Sequence, residues 1–267
     1  MTNDDYIKII ENQAAKPTKI KNVQKVLGNH ITNSSLFHVN QFGKTFIYKI
    51  SDPKTSFRNL MLAQALLQNG VLVPDSKVFI GGGTYFERYE IIPGTTLSET
   101  LLNESMAPDE LENILRDVLT YDKKITEVTP NIKKFSKELI LYERRKNHNT
   151  QDFGQLLAKL HYVINKKSTT YGNIALHHAD LNQSNILLDE NKKFKALLDL
   201  DSLAICDEYT MLSQIILLWP NISTNKLIEI YESVYNKKLN KRHLKKVIHF
   251  RIVKAKIANV LRNIKQK

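Results

Sequence analysis

Hydrophobic and polar positions change rhythm along the chain, and each change predicts an element. Residues 1 to about 20 are polar and charged, with a weak helical pattern at Tyr6, Ile9 and Ile10. From Val23 to Ile50, β-branched and aromatic residues are broken by small polar clusters, which predicts three antiparallel strands with a hairpin turn at Asn40-Gln41-Phe42-Gly43. Ser56 to Gln68 repeats apolar residues at Leu60, Ala63 and Leu67, the spacing of an amphipathic helix. Gly70 to Pro74 suggests an exit from that helix into another strand, and Tyr85 to Ile92 reads as a core strand ended by Pro93-Gly94. The period is helical from Thr96 to Thr169, through Leu111, Ile114, Leu115, Val118 and Leu119 and later Leu156, Leu157, Leu160, Val163 and Ile164. Within it, Ile132 to Asp152 is rich in Lys, Arg and Asn, as a solvated helix pair or an insertion near a substrate would be. Tyr209 to Trp219 is mostly apolar and predicts a buried helix, and the last segment spaces Leu244, Val247, Ile248, Arg251, Ile252, Ile257, Val260, Leu261 and Ile264 almost helically.

The densest chemistry lies between His178 and Asp201, HADLNQSNILLDENKKFKALLDLD. Asp180 precedes Asn185 by five residues, the spacing of the kinase catalytic loop H-x-D-L-x-x-x-N. A carboxylate there can accept a proton from an attacking hydroxyl, and an amide oxygen at the far end can ligate magnesium, which prefers hard oxygen ligands. His178 would brace the loop. Ile186 to Leu188 and Phe194 to Leu198 flank the polar run Asp189 to Lys193 and predict a hairpin that returns Asp199 beside Asn185. Alone, Asp180 could cap a turn and Asn185 could begin a strand. Histidine, acid, amide and second acid in this order, with strands where they are needed, point to phosphoryl transfer.

HADLNQSNILL followed by LLDLD resembles the aminoglycoside phosphotransferase and choline kinase family, small relatives of the protein kinases. The resemblance covers roughly Val23 to Tyr235 and implies an α+β, bilobal protein-kinase-like fold. Residues 1–92 would be a small antiparallel nucleotide-binding lobe, and residues 93–267 a larger, mostly helical catalytic and substrate-binding lobe. The implied cofactors are ATP, or GTP, and Mg2+. By the match Asp180 is the catalytic base, His178 supports it, and Asn185 and Asp199 are metal ligands; Asp201 falls on a second acidic position whose role varies among members. The turn over the phosphates would be Gly28 to Ser35, with Gly28, Asn33, Ser34 and Ser35 as its cofactor contacts, although it lacks a glycine-rich fingerprint. Lys49 would pair with the α- and β-phosphates, and Glu90, Ile91 and Ile92 would meet the adenine from the hinge. Two departures stand out. No glutamate occurs between Ser51 and Phe86 to hold Lys49, so Asn59 or Gln64 occupies that site, and Tyr209-Thr210-Met211 lacks an aspartate that helps to brace the catalytic loop.

Composition narrows the rest. At 267 residues the chain can bury a large core. One cysteine, Cys206, excludes an internal disulfide framework and suits a reducing compartment. MTNDDYIKII carries acids where a signal peptide would be basic, and no run approaches the length of a membrane span, so a cytoplasmic protein is expected. Twelve lysines and arginines and no acid lie between Lys237 and Lys267, equal to the net charge of +12, so the rest of the chain sums to zero. Such a helix suits an anionic membrane surface, at the inner membrane face, or an acidic partner, and equally a closing helix with a charged outer face. It is short of aromatics for stacking, and no nucleic acid is expected. The expected activity is O-phosphotransfer to a small molecule or glycan. Residues 209–267 hold only Glu229 and Glu232 as acids, which favours a sugar, aminoglycoside-like or of lipopolysaccharide, over a choline-, ethanolamine- or thiamine-like amino alcohol. A nucleotide-binding pseudokinase scaffold is the rival from another class.

Overall fold

The computed structural model describes residues 3–14, 23–25, 36–41, 44–128, 174–219 and 221–265. The chain divides into two compact units, Met1–Pro93 and Gly94–Lys267.

The first unit is built on an antiparallel sheet in the order β1-β2-β3-β5-β4, formed by β1 (Val23–Lys25), β2 (Leu36–Gln41), β3 (Lys44–Ser51), β4 (Ser76–Gly81) and β5 (Thr84–Glu90). The three predicted early strands are present, with the second running to Gln41, into the expected turn. The exit expected from the helix at Gly70–Pro74 is irregular backbone, and the strand it leads into begins at Ser76, two residues beyond a proline that has no amide to give to a ladder. One sheet face carries Phe37, Val39, Phe46, Tyr48 and Phe86, all buried, and α1 (Asn3–Ala14) covers it with Ile10, itself 1% exposed. Tyr6 of α1 meets Phe37 and Phe86 at 6.3 and 6.2 Å between ring centroids. Full burial of each such side chain is worth about 1.5–3 kcal/mol, whereas an exposed pair such as Lys44–Glu90 contributes under about 1 kcal/mol. The apolar face therefore holds the unit together.

The opposite face receives α2 (Pro53–Gln68), which buries Asn59, Leu62, Ala63 and Leu66. The predicted stripe is thus rotated: Leu60 is half-buried and Leu67 is 41% exposed, because Leu62 and Leu66, one turn apart, take the inward positions.

In the second unit, β6 (Thr95–Thr96) leads into α3 (Leu97–Asn103), whose start is closed by a reciprocal cap: Glu99 N donates to Thr96 Oγ1 at 3.2 Å and Thr96 N donates to Glu99 Oε2 at 2.9 Å. In α4 (Pro108–Glu127), a proline at the first helical position begins the turn, and Leu111, Ile114, Leu115, Val118 and Leu119 are buried as the pattern predicts. α4 packs on β7 (Ile174–His178) and α6 (Thr224–Tyr235). Two small sheets follow: β7 pairs with β10 (Leu203–Asp207), and β6, β8 (Ile186–Leu188) and β9 (Phe194–Leu197) form the other, with the predicted hairpin at 189–193. α5 (Glu208–Leu218) is the buried helix, and α7 (Lys241–Lys265) is the basic one. The helical periods expected at 156–164 and the polar stretch 132–152 lie outside the described residues.

The turn predicted at Pro93-Gly94 has a steric reason for its glycine. A Cβ on Gly94 would lie 2.3 Å from the Leu188 carbonyl oxygen and 2.9 Å from Leu187 Cγ, in the strand that leads out of the candidate catalytic loop. Gly94→Ala must push backbone against backbone, so a loss of about 1–3 kcal/mol is expected, read as a lowered midpoint in thermal or urea unfolding.

Candidate active site

β7 ends at His178, in register with Leu203 of β10, and the loop that follows is held at both ends. Asn182 accepts hydrogen bonds from Ser184 N at 2.9 Å and Asn185 N at 3.1 Å, which folds Gln183–Asn185 into a 3-10 turn and swings Asn185 back towards Asp180. The Asn185 amide nitrogen then donates to Asp180 O at 2.9 Å and to Asp180 Oδ2 at 3.3 Å. With its nitrogen so used, Asn185 presents Oδ1, the atom a hard cation would bind. Leu181 between them is fully buried, and its carbonyl accepts from Trp219 Nε1 at 2.9 Å.

The segment carrying the second acid is tied to the same loop. Leu198 N donates to Asn185 O at 2.8 Å, Ala179 N donates to Ser202 O at 2.8 Å, and His178 Nε2 donates to Leu198 O at 2.7 Å. That last bond places the ring proton on Nε2, so Nδ1 accepts from Asp180 N at 3.4 Å. His178 thus joins the amide of the acid it precedes to the strand leading to Asp199. Asp199 has φ +64° and ψ +72°, a left-handed conformation that costs an ordinary residue about 1–3 kcal/mol. Its side chain is exposed and accepts from Ser202 Oγ at 2.8 Å. Asp201 sits in the 3-10 turn Leu200–Ser202. The Asn185 amide therefore joins it to Asp180, and a backbone bond ties the strand that leads to Asp199 to the same loop, with a left-handed residue where a metal-facing carboxylate was expected.

The residue that reading the sequence missed is Asp122. It sits on the inner face of α4, fully buried, and accepts from the His178 backbone amide at 2.9 Å through Oδ1; Oδ2 meets His177 Nδ1 at 2.7 Å and the Tyr235 hydroxyl at 2.8 Å. Burial alone would raise this carboxyl, but the charge and hydrogen bond of His177, with the bonds from His178 and Tyr235, outweigh it and hold Asp122 below its usual range. For His177, burial would lower the imidazole, and Asp122 outweighs that and raises it. A buried ion pair thus stands behind the loop. It stands where the chain lacks the aspartate at Tyr209-Thr210-Met211; of the two acids at the start of α5, Asp207 caps the helix, accepting from Thr210 N at 2.9 Å, and Glu208 pairs with Lys237. The only signal in the sequence was one acid inside an otherwise apolar helical stripe.

The nucleotide-side predictions fall in the first unit. Lys49 lies in β3 and is half-buried. Of the two residues named for the site of the missing glutamate, Gln64 is exposed and Asn59 is fully buried, donating from Nδ2 to Glu87 Oε2 at 3.0 Å. In the hinge stretch, Glu90 N donates to Asp75 O at 3.3 Å and Ile91 N to Thr45 O at 3.2 Å, while the Glu90 carboxylate pairs with Lys44 at 2.6 Å. Two of the three hinge amides are thus engaged within the first unit. Gly28, Asn33, Ser34 and Ser35 lie outside the described residues.

The model of the phosphotransferase enzyme family matches residues 32–239. No curated protein matches the chain. Among solved structures, the chain is similar to the choline kinase of Streptococcus pneumoniae, at 15% identity over 98% of this chain and 92% of that one, with a TM-score of 0.63. It is also similar to a spectinomycin phosphotransferase solved with ADP and spectinomycin, at 12% identity, 95% and 85% coverage and a TM-score of 0.62. A macrolide 2'-phosphotransferase from Brachybacterium faecium aligns at 13% identity, 98% and 93% coverage and a TM-score of 0.60. These likenesses show a kinase-like α+β fold.

The Asp122–His177 pair gives stability a defined pH dependence. His177, raised, stabilises fully below the ordinary imidazole value, and that contribution is lost as pH rises through its elevated one. Asp122, depressed, stabilises above the ordinary carboxyl value and loses its contribution as pH falls through its lowered one. The pair therefore acts most strongly between about pH 4 and pH 6.5 and declines above it. Thermal unfolding across pH 5 to 9 should show the wild type losing its advantage over His177→Gln as pH rises, and a pH-independent difference between the two would contradict the pair.

Proposed function

The chain belongs to the phosphotransferase enzyme family, and on that premise we propose that it transfers the terminal phosphate of ATP to a hydroxyl of a sugar, free or within an acidic glycan. The observation that carries the reading is the Asn185–Asp180 hydrogen bond, which sets a carboxylate and an amide oxygen side by side on one braced loop. Asp180 orients the acceptor hydroxyl and takes its proton as the phosphorus–oxygen bond forms, leaving ADP and the phosphorylated sugar. Lys49 steadies the phosphates.

Asn185 and Asp199 fit a magnesium ion. Among the described residues no group of three or more His, Cys, Asp or Glu could hold a metal, and none is needed, because magnesium beside phosphates uses one or two carboxylates with waters. When bound through Asn185 Oδ1 and the Asp199 carboxylate, the ion neutralises charge on the phosphates.

The acceptor follows from charge. A cationic amino alcohol or aminoglycoside asks for uncommitted carboxylates, yet Glu208, Glu229 and Glu232 are paired with Lys237, Lys226 and Lys238. α7 instead exposes Lys245, Lys246 and Lys256. Arg251 follows Leu244 and Val247 on the inward stripe of that helix; burial lowers its guanidinium, and Cys206, Asp207 and Asp180 partly restore it. A basic side chain within the field of Asp180 suits an anionic sugar. Among the described residues, no helix is long and apolar enough to cross a membrane.

A nucleotide-consumption screen of neutral sugars, acidic sugars, deacylated lipopolysaccharide, aminoglycosides and amino alcohols tests the reading, with acidic sugars expected to respond most strongly. With the acceptor found, Asp180→Asn should lower turnover by about a hundredfold or more with its unfolding midpoint unchanged. Near-normal turnover would remove Asp180 from its role. Asp199→Ala should abolish magnesium-dependent ADP binding in calorimetry, and unchanged affinity would refute the metal assignment.

A further inference from the structure

The helix glutamate that would hold Lys49 is absent, but a buried carboxylate stands opposite the lysine in the sheet. Lys49 and Glu87 are register partners in the adjacent antiparallel strands β3 and β5. Their side chains leave the sheet on the same face, with Cβ atoms about 4.5–5.5 Å apart by strand geometry. That face is the one α2 covers, since Asn59 reaches Glu87 from the helix. Glu87 is 1% exposed and Asn59 is fully buried.

The two oxygens of Glu87 are unequally served. Oε2 accepts from Asn59 Nδ2 and from the Tyr89 hydroxyl. Oε1 is buried and has no hydrogen-bond partner among the described residues. A carboxylate oxygen without a partner in a dry setting is strongly unfavourable, and a cation is the group that removes the penalty. The bond from Asn59 Nδ2 goes to Oε2, not to Oε1. The cation that shares its register position is the lysine directly across the ladder.

We propose that Glu87, carried on β5, is the positioning residue that orients the Lys49 ammonium towards the nucleotide phosphates in place of the missing helix glutamate. The proposal rests on the reading of Lys49 as the phosphate-binding lysine. It has a mechanical consequence. Where acid and lysine sit on helix and sheet, moving the helix makes or breaks the pair. Here both sit on neighbouring strands of one hydrogen-bonded ladder, and α2 contributes an amide that fixes the acid. The register that faces them is set whenever the sheet is folded, so forming the pair asks no movement of α2.

Calorimetry on the full chain with MgADP and with adenosine tests this. Glu87→Gln should weaken MgADP binding about tenfold or more, the worth of a charge-assisted hydrogen bond, and leave adenosine binding unchanged, since adenosine has no phosphate for Lys49 to meet. Returning the carboxylate to the helix, as Asn59→Glu with Glu87→Gln, should restore MgADP affinity, because position 59 already reaches the same point. In a Lys49→Met background, Glu87→Gln should add nothing. If Glu87→Gln does not fold, Glu87→Asp carries the test, withdrawing the charge by one methylene. Wild-type MgADP affinity in Lys49→Met would sink the phosphate-lysine reading. Loss in Lys49→Met but not in the Glu87 variant, or equal loss of MgADP and adenosine binding in the Glu87 variant, would overturn this inference alone.

Discussion

Three donors converge on the Asp122 carboxylate: the imidazole of His177, the backbone amide of His178 and the hydroxyl of Tyr235. Hydrogen bonds to a charged acceptor are worth about 1.5–3 kcal/mol each, and breaking a buried ion pair by deleting one partner costs about 3–5 kcal/mol. No exposed pair in the second unit compares, because those at Lys192–Glu104 and Lys226–Glu112 are open to water. The placement matters as much as the strength. Oδ1 takes the backbone amide of His178, two residues before Asp180, so α4, α6 and the end of β7 are locked to the start of the loop through a single side chain. Everything beyond His178 inherits that anchor: His178 reaches Leu198, Ala179 reaches Ser202, and Asn185 reaches Asp180.

Strain is tolerated where this scaffold is stiffest. Asp199 holds a left-handed backbone conformation that only glycine adopts freely, while Leu198 before it and Ser202 after it are both fixed by backbone bonds, and Ser202 Oγ holds the carboxylate itself. A free loop would relax. One held at both ends keeps the carboxylate exposed and aimed, which suits a group that binds a cation rather than one that packs.

The loop from His178 to Asn185 and the strands around it were legible because local spacing writes them: Asp180 and Asn185 meet across five residues, and the hairpin from Ile186 to Leu197 is local in sequence. The apolar stripe of α4 was equally plain, since helical period and burial coincide at Leu111, Ile114, Leu115, Val118 and Leu119. What escaped was set by distance along the chain. Asp122 pairs with residues 55 and more positions away, and an acid inside a helix reads as a solvated face until its partners are known. α2 was assigned the wrong stripe because its inward face includes a polar residue, Asn59, which periodicity counts as outward.

The two departures from the kinase pattern have a common form in the folded chain. In each, a carboxylate missing from one helix is matched by a buried carboxylate elsewhere in the same unit, Asp122 for the brace of the loop and Glu87 opposite Lys49. Neither Asp122 nor Glu87 is more than 1% exposed, and each accepts from at least two donors. Burying an acid is so unfavourable that an idle one would be replaced by an apolar residue at little or no loss of stability. Two such acids, one behind the loop that carries Asp180 and one opposite Lys49, argue that the positions were rewired rather than abandoned. A scaffold that had given up catalysis would have no use for the penalty.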